Sequence, residues 1–169
     1  MKTTTLIVGG ALFVLTWFMF QPELARSATE QDVTVERYAT WICQDSLQLP
    51  RTRTSYEERG AGPDELETLE RMWHARANAC QYKLFHPPHL RQWTCIHRYE
   101  ASWTDPNPPY FGGLQMDRGF MRTYGPKLLR RKGTANHWTP QEQMWVAERA
   151  WRTRGFHPWP AASRRCGLT

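Results

Sequence analysis

The chain lacks the motifs of several widespread chemistries. It has no G-x-S-x-G, no H-E-x-x-H and no glycine-rich phosphate loop, which excludes a serine-hydrolase elbow, a zincin and a Walker-type nucleotide site. No two cysteines form a CxxC pair, so zinc-ribbon and thioredoxin-type chemistry has no footing. Internal repeats and low-complexity tracts are missing too. The longest apolar run, Leu6 to Phe20, is about 15 residues, short of the roughly 20 that a membrane span needs.

That run has the length of the apolar core of an export signal. Pro22 breaks it, and Ala25-Arg26-Ser27 supplies small residues for cleavage after Ser27. The bulky Trp17-Phe18-Met19-Phe20 end also suits a segment that is kept as an anchor. Residues 1–28 therefore read as a signal peptide or an N-terminal anchor, and the protein as secreted or cell-wall associated. No cysteine follows the run directly, which argues against a lipoprotein.

Beyond this segment, 169 residues leave room for one compact domain with extras. Forty per cent hydrophobic residues and nine tryptophans, most of them in the C-terminal half, argue against disorder. Large flat rings fill cores or serve as stacking platforms. A net charge of +6 and a pI near 9.4 point to polyanionic partners: wall polymer, anionic membrane or nucleic acid. Export makes nucleic acid the poorest of these.

The four cysteines, Cys43, Cys80, Cys95 and Cys166, allow three full pairings, and an even count in an exported chain suggests disulfides. Cys43–Cys80 and Cys95–Cys166 are favoured. The second would close a long loop, worth about 4 kcal/mol in the chain-entropy picture. Four buried free thiols are the alternative if the chain stays in the cytosol.

The pattern predicts a mainly α fold. Val35, Tyr38, Ile42 and Leu47 share roughly one face of a helix over 29–49. A polar loop follows Pro50. Pro63 then opens a helix to about Leu84, with acids in its first turns and an apolar stripe of Leu66, Leu69, Trp73, Ala77, Cys80 and Leu84. His86-Pro87-Pro88-His89 stops it; two histidines suggest a metal clip, but no third ligand is spaced to complete one, so a hinge is the simpler reading and no metal is expected. Leu90 to Trp103 reads as a helix with Trp93, Ile96, Glu100 and Trp103 on one face. A proline loop and a short β-hairpin around Gly112-Gly113 follow, then short helices over 117–124 and 127–132. Thr139, Pro140 and Glu142 form a capping box for the last helix, whose apolar face is Met144, Ala147, Ala150 and Trp151. Residues 156–166 read as a tail.

Glu100 is the residue that draws attention. A glutamate near a helix end is ordinarily a solvated charge. Here its neighbours on the same face are aromatic and aliphatic, which would raise its pKa toward the working range of a general acid. His97, one turn earlier, would act in the opposite direction if charged. Asp105, Asp117, Glu142 and Glu148 are the candidates for the second carboxylate that glycosidases usually use, Asp117 being the best placed.

Residues 91–169 resemble the catalytic domain of actinobacterial resuscitation-promoting factors, a lysozyme-like, transglycosylase-related family. The resemblance rests on Glu100-Ala101-Ser102-Trp103, on Tyr110-Phe111-Gly112-Gly113-Leu114-Gln115-Met116, and on Glu142-Gln143 with Ala147-Glu148-Arg149. Gly155-Phe156, Trp159-Pro160 and Cys166 continue it in the same order. It implies an α+β lysozyme-like fold with the hairpin beside an active-site cleft, and Glu100 as the catalytic acid. Trp103, Tyr110 and Gln115 would line that cleft, with Asp117 at its edge and Gln143 and Trp159 on the opposite wall. The chain departs from the family pattern in three places. The Ser-Gly-Gly-Asn after the glutamate is the shorter Ala101-Ser102, a threonine is Phe120, and the cysteine before the glutamate is Tyr99, with Cys95 one turn earlier.

The expectation is an exported muralytic enzyme, a glycosidase or lytic transglycosylase needing no cofactor. It would cleave the β-1,4 bonds of peptidoglycan glycan strands and act as a monomer. The alternative is a peptidoglycan-binding module that kept the fold and lost catalysis. Residues 29–90 form a helical N-terminal region without an assigned role, suited to cell-wall or division partners.

Overall fold

The computed structural model describes residues 27–54 and 60–168. Of the signal peptide or anchor expected over 1–28, residues 1–26 lie outside the described residues. Among those described, no helix is long and apolar enough to cross a membrane. The fold is mainly helical, with one small antiparallel sheet.

Helix α1 (Glu30–Ser46) starts on a capping box in which the Thr29 side chain and Asp32 satisfy each other's backbone N–H. Helix α2 (Pro63–Phe85) starts on Gly62, with Pro63 in its first turn. Glu36 meets His74 at 3.0 Å and Cys43 is bonded to Cys80, so the two helices run side by side in the same direction. The described start of the polar segment after α1 lies back along that helix, where Thr52 O accepts from Trp41 Nε1 at 2.9 Å and Thr52 N donates to Gln44 at 2.9 Å.

Of the apolar face expected for α1, only Leu47 packs. Val33, Thr40, Cys43 and Leu47 are buried, whereas Val35, Tyr38 and Ile42 are 58, 54 and 62 % exposed. Both sets fit a helical repeat, and the disulfide to Cys80 turns the Cys43 face inward. On α2 the expected stripe does pack, with Trp73 and Ala77 fully covered.

Helix α3 (Leu90–Tyr99) buries Trp93 and Ile96 and ends sooner than expected, at Glu100. Strands β1 (Tyr110–Phe111) and β2 (Met116–Asp117) pair with Tyr110 opposite Asp117 and Phe111 opposite Met116. Three short helices follow: α4 (Arg118–Tyr124), α5 (Pro126–Lys132) and a 3₁₀ turn over Ala135–His137. Helix α6 (Pro140–Arg154) has the expected capping box, with Thr139 accepting from Glu142 N. It is buried on every side from Glu142 to Glu148 rather than along one apolar face, which makes it the central helix of the fold. The expected tail contains a further helix, α7 (Pro160–Arg165), which Cys95–Cys166 ties to α3.

The main core runs from Trp93 and Ile96 through Leu114, Met116 and Met121 to Val146 and Trp159. A second cluster joins Cys43 and Leu47 of α1 to Trp145 of α6, with Cys80 and Leu84 of α2 against it. Both N-terminal helices thus meet α6 with their C-terminal ends. The two disulfides are the chemistry of an oxidising compartment.

Candidate active site

Helix α3 stops where the backbone of Glu100 leaves helical geometry at φ −98° and ψ −88°. Its N–H still donates to His97 O at 3.3 Å, so the carboxylate stands at the very end of a helix with one buried face. Glu100 is half-buried, and burial alone holds its carboxyl above the usual 4.5. The charged form loses hydration there and gains no compensating partner. His97 does not offset this. Its ring stacks on Trp103 with centroids 4.0 Å apart, and its Nδ1 faces Gly113 O at 3.4 Å.

That stack places the hairpin against the last turn of α3. A Cβ on Gly113 would lie 2.6 Å from both His97 Nδ1 and Trp103 Cε3, so only glycine fits there. Trp103 therefore does not extend α3 as the sequence suggested. It folds back over His97 from the loop beyond Glu100, because α3 has already ended.

Gln143 is also placed differently from expectation. It is 0 % exposed, and its Oε1 accepts from Gly113 N at 2.8 Å. Its Nε2 faces the carbonyls of Trp103 at 2.8 Å, Ala135 at 2.9 Å and Trp138 at 3.2 Å. With both ends of the amide engaged inside the protein, Gln143 holds the hairpin, the Trp103 loop and the 3₁₀ turn together. It does not form a wall open to a ligand.

Tyr110, Gln115, Asp117 and Trp159 are brought together. They line one concavity of about 160 Å³ with Phe120 and Arg154. Trp159 forms its floor, nearly covered, with Nε1 donating to Leu114 O at 2.7 Å and its ring packed on Trp93 and Phe120. Gln115 has a left-handed φ of 46°, and its Nε2 donates to Asp105 at 2.8 Å and to Gly112 O at 3.0 Å. Phe120, where the family pattern has threonine, fills space against Trp159. Arg154 was not singled out in the sequence; it sits in the last turn of α6, where a cation is favourable for the helix alone and so gives no separate signal. Glu100, Trp103 and Gln143 do not line this concavity.

The candidate second carboxylates all have other partners. Asp117 caps α4, accepting from Phe120 N at 2.7 Å. Glu142 is buried, closes the α6 capping box and pairs with Lys132 Nζ at 2.7 Å. Glu148, also buried, accepts from the His89 backbone and from Trp93 Nε1, both at 2.8 Å, and faces His89 Nδ1 at 3.0 Å. Asp105 takes the Gln115 amide at 2.8 Å. The histidine pair at the hinge is divided in the same way, since His86 Nδ1 faces Tyr82 O at 2.7 Å while His89 serves Glu148. Among the described residues no three His, Cys, Asp or Glu side chains are grouped to hold a metal ion.

No family model and no curated protein matches the chain.

Proposed function

We propose that the protein is an exported muralytic enzyme of lysozyme-like fold that cleaves the β-1,4 bonds of peptidoglycan with Glu100 as general acid. The observation that carries this reading is the half-buried Glu100 at the end of α3. Burial is the one influence on its carboxyl, and it raises the pKa in the direction a general acid needs. The motif resemblance over 91–169 supplies the reaction class, and the concavity of Tyr110, Gln115 and Trp159 supplies a wall where sugar rings would stack. The two disulfides agree with an exported protein.

The commitment of Asp105, Asp117, Glu142 and Glu148 to internal partners favours a single-acid course. Glu100 gives its proton to the leaving glycosidic oxygen as the C1–O bond breaks. The sugar's own 6-hydroxyl oxygen then bonds to C1 and returns its proton to the Glu100 carboxylate, leaving a 1,6-anhydro product. The acid is regenerated and no water is consumed. Replacing Glu100 by glutamine should reduce zymogram clearing of cell walls by about 10²- to 10⁴-fold, the usual weight of a general acid. Undiminished clearing by a folded variant would exclude this role.

A second reading is favoured by one observation, that Glu100 does not line the described concavity. In it the protein binds glycan strands through Tyr110 and Gln115 and releases nothing. Saturable binding to purified wall without soluble sugar products would select it.

A further inference from the structure

A second pocket, of about 140 Å³, lies on a different part of the molecule, where α1 and α2 meet α6. Its lining combines Leu47 and Gln48 from the end of α1, Lys83 of α2, and Trp145, Arg149 and Arg152 of α6. Three cations and no acid contribute to it. Lys83 Nζ stands 5.8 Å from the centre of the Trp145 ring, while the Trp145 indole N–H donates to Leu84 O at 3.0 Å and fixes that wall.

Arg149 is the anchor. Its guanidinium is part-buried and donates to two backbone carbonyls, Tyr124 O and Leu47 O. These satisfy part of its five N–H groups but carry no formal charge. Burial, with the nearby Arg152 charge adding to it, lowers its pKa to about 10. No carboxylate acts against that trend. A buried cation without a counter-ion is costly to keep.

The simpler reading is that each cation complements a helix end. The C-termini of α1 and α2 lie here, and each carries about half a negative charge. Together they offset roughly one of the three positive charges, leaving about +2. That remainder is close to the charge of one phosphate group, about −1.5 to −2 at neutral pH.

We infer that the pocket between Lys83, Arg149 and Arg152 is a binding site for a phosphate group, carried by a soluble ligand or by a lipid headgroup. Nothing in the proposed glycan chemistry uses it, and it does not depend on Glu100. Arg149, held by two carbonyls, is pre-positioned. Lys83 and Arg152, both exposed, close on the anion from the rim. Because the pocket is built from both N-terminal helices and α6, an anion in it would link the two parts of the fold and stabilise them by mass action.

The test is calorimetric titration of the full disulfide-bonded protein with inorganic phosphate in dilute buffer, alongside the Lys83→Gln and Arg152→Gln variants. Both positions are exposed, so these variants keep the fold, which the thermal midpoint verifies. The expected result is one equivalent of phosphate bound by the parent, about tenfold weaker binding in each variant, and a rise in the parent's thermal midpoint with phosphate. Absence of binding by the parent, or equal binding by all three proteins, overturns the inference. Vesicles of phosphatidylglycerol that displace the phosphate support the site with a lipid headgroup as its ligand. Phosphate binding that such vesicles leave unchanged supports it with a soluble one.

Discussion

Glu100 titrates in a setting that penalises its charge, and this has a consequence for stability. Its folded pKa lies above the ordinary 4.5, so the folded protein holds the proton more tightly than the unfolded chain. The associated stability is fully present below pH 4.5 and is lost as the pH rises through the raised value. Glu100→Gln never ionises, so its thermal midpoint should gain on the parent's between pH 4 and pH 7. An offset that is the same at both pH values would mean that Glu100 is not desolvated. Gln143 makes the complementary case. Gln143→Leu would strand the Gly113 N–H and three carbonyls in the core, and should cost roughly 2–4 kcal/mol in urea denaturation. A loss within about 0.5 kcal/mol would be the behaviour of a surface residue and would contradict the buried-hub assignment. The sequence displayed Gln143 as one polar residue on a helix, with no sign that the helix is covered all round. Glu100 was legible because aromatic and aliphatic residues recur at helical spacing before it.

At the scale of elements, local signals were read well, and phase was read on α2 but only in part on α1. The capping boxes at Thr139 and the proline start at Pro63 announce α6 and α2, because they satisfy orphan N–H groups within one turn. Helix α1 carries two apolar rows, and only tertiary contact decides between them. Val33→Ser should therefore destabilise by about 1.5–3 kcal/mol, the transfer cost of a buried aliphatic side chain. Ile42→Ser should stay within about 0.5 kcal/mol. The reverse order, read from denaturant midpoints, would show that the other face packs. The end of α3 one turn early was not legible, because nothing in Ala101-Ser102 marks a stop; once the helix has ended, the Trp103 ring stacks back on His97. Helix α7 was missed because six residues beginning at Pro160 show no apolar period, and the Cys95–Cys166 bond holds it in place.

Across the whole molecule, the excess of positive charge is only partly free for a partner. Arg131 and Arg51 pair with Asp45, and Lys132 with Glu142, so the basic run at the end of α5 largely serves the protein itself. The Arg51 hydrogen bond holds the Asp45 carboxyl below its ordinary 3.8, with Arg131 and Lys127 adding to it. The tryptophans divide in the same way: Trp73, Trp93 and Trp159 are core, and Trp103 is a half-exposed ring beside Glu100. Composition cannot make these divisions, because pairing and burial depend on which helices meet. The central claim is that the acid at the end of α3 breaks glycan strands. Mass analysis of the sugars released from purified peptidoglycan by the parent and by Glu100→Gln tests it most directly. The account predicts 1,6-anhydro products from the parent and their loss, by about 10²-fold or more, in the variant. Equal release by both proteins, or wall binding by the parent with no sugar released, would contradict it.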